Sequence, residues 1–317
     1  MSEKARRLIQ VKDLIELIGI PILAIISWTI PERHWDSIAR GFATLFASLR
    51  VGRTSLRVGR TRARQKRHWR RFGDRIDPSK AKSIETTVYA HFYVARMQAY
   101  RDYRPGGWHP EIQVIGTEHI EAAREKGHGV LLWVAPFIYS DLVAKKGLHD
   151  VGYRVSHLSR PSHGFTPSQF GVHILNPIWT RIEDRYLAER VRIADSRGSG
   201  SAIKTLRNRL EDNQVVSITF GREARKTAQV TFMGSRLRIA TGPVHLARTS
   251  KAVLLPVFTM RKDTGILTVN IESPLIQPTE DNSDEPYEAI IQKYVQKLEQ
   301  YVLNYPGQWK RSWVCDQ

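Results

Sequence analysis

The stretch "GVLLWVAPFIYSD", Gly129 to Asp141, decides the fold. From Gly129 to Ala135 it is a short apolar run with no polar alternation, closed by Pro136. Such a run reads as a strand buried on both faces, the kind found inside a parallel sheet. After it come Ser140 and Asp141, where a helical pattern to Asp150 begins. A strand that leads through a turn into a helix start is where α/β enzymes commonly place their chemistry.

The same alternation extends in both directions. Further strands are predicted at Tyr153 to Leu158, Gln214 to Phe220, Ala252 to Thr259 and Ile266 to Ile271. Helical patterns lie at Asp141 to Asp150, Ser168 to Ala188, Ser199 to Asn213 and Thr241 to Ser250. A last helix, Glu285 to Asn304, carries Ile291, Tyr294, Val295, Leu298 and Val302 on one face and is expected to close the core. Strands alternating with helices predict an α/β fold, a mostly parallel central sheet covered by helices on both faces. Before it, a helix from about Ser79 to Tyr103 ends at Pro105-Gly106-Gly107. The expected division is an N-terminal helical, membrane-docking and basic segment, 1–104, and an α/β domain, 105–317.

The chain of 317 residues has 49 Lys and Arg against 31 Asp and Glu, a net charge of +18. That field attracts nucleic acid, an anionic membrane or a phosphate-bearing substrate. The single cysteine, Cys315, excludes an internal disulfide and a cysteine metal site, and no metal or redox cofactor is expected. The apolar run Leu17 to Ile30 is shorter than the roughly 20 residues of a membrane span, and Pro21 and Pro31 interrupt and end it. It reads as an interfacial helix docking through Leu17, Ile18, Ile22, Leu23, Ile26 and Trp28, with a buried core helix as the alternative. Ile38 to Gly73 then has no acidic residue and many arginines, Arg53, Arg57 and Arg60 among them, with "RVGRT" at Arg50 to Thr54 and again at Arg57 to Thr61. An apolar helix beside such a block suits an anionic leaflet. Nucleic acid is not expected, because no nucleic-acid-binding motif follows.

Phosphate-loop, zinc-protease and serine-hydrolase signatures are absent. Four blocks remain: "WHPEIQVIGTEHIEAAREKGHGVLLWVAPFIYSD", "SRP" at Ser159 to Pro161, "VTFMGSRLRIATGPVHLARTSKAVLLPVF" and "YPGQW". In order and spacing they resemble the lysophospholipid acyltransferase superfamily, most nearly the bacterial lipid A late acyltransferases of the lauroyl and myristoyl type. The resemblance implies that a histidine after the first strand, oriented by an acidic residue, activates an acceptor hydroxyl that attacks an acyl thioester on acyl carrier protein or CoA. Asp141 matches the acidic residue, but Pro136 stands at the histidine. Arg160 matches a basic family position, and Glu223 is the remaining acidic counterpart in "FGREARK", where Arg222 and Arg225 are candidates for binding an anionic headgroup or the carrier. His163, just past "SRP", is the candidate substitute base, and His157 on the preceding strand is the lesser one. Asp141 has a second reading as a helix N-cap, with Ser140 competing. Two functions therefore stay open. One is a lipid or glycolipid acyltransferase on the cytoplasmic face of a bacterial inner membrane; the other is an inactive homologue that binds lipid or acyl carrier.

Overall fold

The computed structural model describes residues 8–53, 81–193, 199–221, 224, 226–278 and 285–310. Arg57, Arg60, Arg222, Glu223, Arg225, Cys315 and the Arg53 side chain lie outside the described residues, as does the second "RVGRT".

Among the described residues the chain opens with three helices, α1 (Val11–Thr29), α2 (Trp35–Arg53) and α3 (Ala81–Tyr103). The rest alternates through β1 (Ile112–Ile115), α4 (Glu118–Glu125), β2 (Val130–Val134), α5 (Val143–Asp150), β3 (Val155–Ser159), α6 (Asn176–Asp184), β4 (Glu189–Arg192), α7 (Ser199–Glu211) and β5 (Val215–Thr219). A hairpin, β6 (Thr227–Phe232) and β7 (Ser235–Ala240), leads to α8 (Gly242–Thr249), β8 (Val253–Arg261), β9 (Leu267–Ile271) and α9 (Tyr287–Asn304). The main sheet runs β1-β9-β8-β2-β5-β3-β4. Its pairs are parallel except β8 with β9.

β2 occupies the middle, with Val130 opposite Val215 on one side and Val253 on the other. Its residues are wholly buried and alternate between two cores. Val130, Leu132 and Val134 join the N-terminal helices, Met97 and Trp35 included. Leu131 and Trp133 face Leu206, Val244, Tyr294 and Leu298 from α7, α8 and α9. On that side Trp133 lies 4.3 Å from Tyr294 and 5.0 Å from Phe220, ring centre to ring centre. The apolar run is thus double-sided because helices cover both faces.

The structure corrects the sequence reading in four places. β1 lies at the edge beside β9, a strand the sequence did not signal. The segment read as one helix, Ser168 to Ala188, is a π turn (Gly171–Leu175) followed by α6, and β4 begins at its end. "VTFMGSRLRIA" folds as the β6–β7 hairpin. Its two-residue turn needs positive φ at both positions, and Met233 (φ 49°) and Gly234 (φ 76°) supply it.

The fourth correction concerns α1, which runs through Pro21. That proline is on the outward side, so the Leu17 carbonyl it leaves unbonded is not sealed inside the protein. Leu17, Ile18, Ile22 and Trp28 do face outward, together with Val11, Leu14, Ile15 and Ile25. Leu23 and Ile26 face inward and pack on the core. The inward face also holds Asp13, Glu16 and Ser27, all buried. Glu16 pairs with Arg96 of α3 through both guanidinium nitrogens, one at 2.9 Å, and Arg96 lies over the rings of Phe92 and Phe165. Lys12 donates to the Phe165 carbonyl at 2.6 Å, and the Thr166 hydroxyl donates to Asp13. The helix therefore turns Asp13 and Glu16 toward the protein and most of its large apolar side chains outward.

Removing one member of the Glu16–Arg96 pair strands a buried charge. Glu16→Ala is expected to lower unfolding free energy by about 3–5 kcal/mol in urea denaturation. Replacing both residues with Leu and Met should restore most of that loss.

Candidate active site

At the end of β2 the chain makes a tight turn around Pro136. The Ala135 amide continues the sheet to the Val257 carbonyl at 2.9 Å, and the Phe137 amide donates back to the Ala135 carbonyl at 2.9 Å. That three-residue turn centres on a proline whose ring fixes φ near the value required. The Ser140 hydroxyl also donates to the Ala135 carbonyl, at 2.8 Å. Ser140 and Asp141 therefore belong to the turn, and neither caps α5, whose N-cap is Leu142.

The Asp141 carboxylate instead takes an ion pair from Lys310. Lys310 is delivered by the C-terminal "YPGQW" segment. Trp309 bridges to Phe137 across an antiparallel backbone contact, with ring centres 5.0 Å apart. Gln308 bonds both the amide (2.9 Å) and the carbonyl (2.6 Å) of Arg261 at the end of β8. Gly307 permits the approach to α3, since a Cβ there would stand 2.5 Å from the Thr87 Cγ2. Burial alone raises the Asp141 pKa, but Lys310, then His163 and Lys145, outweigh it and hold the group below its ordinary value. Asp141 is thus a carboxylate at neutral pH.

A second carboxylate was not foreseen from sequence. Glu183, near the end of α6, is 1% exposed. It accepts from His163 Nε2 at 2.9 and 3.0 Å, from Trp179 Nε1 at 2.6 Å and from Arg190 at 2.7 Å, and Lys145 stands 3.2 Å away. Burial raises its pKa, but Lys145, His163 and Arg190 together pull it well below the usual carboxylate range. His163 is held by its side-chain bond to Glu183 and by its amide, which donates to the Arg160 carbonyl at 3.0 Å. Its Nδ1 makes no hydrogen bond among the described residues. Asp141, His163 and Arg160 thus lie at one end of the sheet, and the Arg160 side chain is exposed.

A small cavity lies between α5 and the face of β2, β3 and β5, reaching from Val155 at the start of β3 to Val134 and Thr219 at the carboxyl ends of β2 and β5. Ser140, Asp141, Lys145, His157, Ser217 and Thr219 give it polar walls, and Val134, Ala144, Leu148 and Val155 its apolar lining. His157 Nδ1 is 2.8 Å from the Ser217 hydroxyl. Burial first, then Lys145, lowers the His157 pKa well below its ordinary value, so the ring is neutral. Among the described residues no three His, Cys, Asp or Glu side chains gather as a metal site would need. Glu183, Ser217 and Lys310 are remote in sequence from Asp141 and carry no local motif, and only the folded sheet brings them to it; Lys145, four residues on, reaches the Asp141 carbonyl locally.

Asp141 lines the cavity, and His163, held by Glu183, stands in the turn after β3, an imidazole chemically able to accept and return a proton. The sequence matches the family described as bacterial lipid A biosynthesis acyltransferase over residues 1–314, and the chain belongs to that family. Among solved structures it is similar to the 1-acyl-sn-glycerophosphate (LPA) acyltransferase PlsC from Thermotoga maritima. That match is 14% identical, covers 90% of this chain and 97% of that one, and has a TM-score of 0.37. No curated protein sequence matches the chain.

The depressed Glu183 pKa has a definite sign in the pH dependence of stability. Its contribution is complete above the unfolded value of about 4.3 and is lost as pH falls through the lower native value. Glu183→Gln should therefore be markedly less stable than wild type at pH 7 in urea denaturation, with the gap narrowing at pH 3.5. An equal gap at both pH values would contradict this assignment.

Proposed function

We propose that the protein moves a fatty acyl group from a thioester on acyl carrier protein or CoA to a lipid or glycolipid hydroxyl, with His163 as the base. The observation that carries this reading is the bidentate placement of His163 Nε2 against the buried Glu183 carboxylate. A carboxylate on one ring nitrogen fixes the tautomer and leaves the other nitrogen's lone pair for a proton. Residue 136 is proline and has no base to offer. The acceptor hydroxyl gives its proton to His163 Nδ1 while its oxygen bonds the thioester carbon. The carbon–sulfur bond then breaks, and the thiolate leaves with the proton from His163. Asp141 and Glu183 stabilise the transient imidazolium.

The same proposal sets the site on the cytoplasmic face of a bacterial inner membrane. No helix among the described residues is long and apolar enough to cross a membrane. The outward row on α1, with Ile18 and Ile25 each 63% exposed, supports docking in the plane of a leaflet. Its inner charges, Asp13 and Glu16, are already paired with the protein. The net charge of +18 favours anionic lipids and an acidic carrier. A second reading, a lipid- or carrier-binding homologue without turnover, is favoured by Pro136 and by Lys310 seated on Asp141.

Acyl transfer from labelled acyl carrier protein and CoA to a panel of lipid acceptors separates the two. Turnover that falls by about 10²- to 10⁴-fold in His163→Ala supports the enzyme; lipid binding without turnover supports the second reading. Serine at Ile15, Ile18 and Ile25 should weaken sedimentation with anionic vesicles by roughly tenfold per residue.

A further inference from the structure

We propose that His157 is a second catalytic imidazole, whose Nε2–H donates to the thioester carbonyl oxygen as negative charge gathers there, with Ser217 fixing its tautomer. The inference rests on the acyl-transfer reading and adds to it the stabilisation of the tetrahedral intermediate.

The sheet itself builds this pair. His157 and Ser217 are register partners on adjacent parallel strands, so their side chains share a face and a rung. On the same face, Val155 pairs with Val215. Packing alone is served by a valine pair, whereas burying a hydroxyl and an imidazole is unfavourable unless their polar atoms are used. His157 and Ser217 are 6% and 4% exposed, and both border the cavity that holds Asp141.

One hydrogen bond links the ring to the sheet. The Ser217 hydroxyl has no acceptor among the described residues other than His157 Nδ1. With the Ser217 proton given to Nδ1, as the proposal requires, the hydrogen of the neutral ring sits on Nε2. That nitrogen makes no hydrogen bond among the described residues, and His157 lines the cavity. The titratable groups around the ring are Lys145 on α5, Glu183 on α6, Arg190 on β4 and His163 in the turn after β3. Burial and this surplus of cations keep His157 uncharged, which suits a donor to an oxyanion and not a proton acceptor. His163 and His157 thus divide the labour. The acceptor proton travels to His163 and on to the departing thiolate, while the carbonyl electron pair moves onto oxygen, is held by His157, and returns as the carbon–sulfur bond breaks. His157 gains and loses no proton.

Two measurements on the full chain test this. In the acyl-transfer assay, His157→Ala should lower kcat by about 10²- to 10³-fold, the typical effect of losing one oxyanion donor, with KM little changed. His157→Gln retains an N–H donor and should recover part of the loss, and thermal melts confirm that both variants fold. Nitrogen-15 spectra of histidine-labelled protein should show His157 neutral and protonated on Nε2 from pH 5 to 8, a readout that needs no turnover. Ser217→Ala should disturb that tautomer. A proton on Nδ1, titration within that range, kcat unchanged in His157→Ala, or a Gln variant no better than Ala would each overturn the role of His157 while leaving an active wild type to support acyl transfer. A wild type inactive on every donor and acceptor would remove both proposals.

Discussion

Glu183 binds together the segments that border the crevice. Its partners come from α5 (Lys145), from the turn after β3 (His163), from α6 itself (Trp179) and from β4 (Arg190). A buried carboxylate among cations is a poor source of net stability, because desolvation cancels much of the attraction. Its value here is geometric. Four segments that differ in sequence position share one acceptor, and none of them can shift without leaving a buried charge or donor unmet. Arg190 also reaches Asp184 and the Ser159 hydroxyl, which ties the ends of β3 and β4 to the same cluster.

The C-terminal segment closes the other side of the site. Trp309, Gln308 and Lys310 contact Phe137, Arg261 and Asp141 in turn, so the turn after β2 is held from outside as well as by its own hydrogen bonds. Tyr139, between Phe137 and Asp141, reaches the other way and sits 2.8 Å from His91 of α3. The same neighbourhood includes the Arg261–Asp36 pair, at 2.8 and 2.9 Å, which anchors α2. One short turn thus touches the N-terminal helices, the sheet and the C-terminal segment.

Much of this was legible in the sequence, where the physical signal was local. The buried strands β2, β3, β5, β8 and β9 announced themselves as apolar runs between turn residues, and Asp141 and His163 could be placed at the same sheet end from topology. What was lost depended on distant partners. Periodicity marked α1 as apolar but not which side faced the protein, because Asp13 and Glu16 face inward only through Thr166 and Arg96 far along the chain. β4 has the sequence "ERVR", whose charges find Arg209 and the Ser156 hydroxyl for Glu189 and the Glu183 cluster for Arg190. The β6–β7 turn uses Met-Gly in place of the commoner Asn-Gly, so its hairpin went unread. Glu183 looked like one more charge on a helix until the sheet enclosed it.

The central place of β2 also shapes how the chain must fold. Its neighbours in space, Val215–Thr219 and Val253–Val257, come much later in sequence, while the nearer strand β1 pairs with β9. Contacts of such long separation form slowly. Until they do, "GVLLWVA" is an uncharged strand with two open edges, a template for pairing with another copy. The most buried part of the finished protein is therefore its most aggregation-prone part while unfinished, and the yield of folded protein should fall as chain concentration during refolding rises.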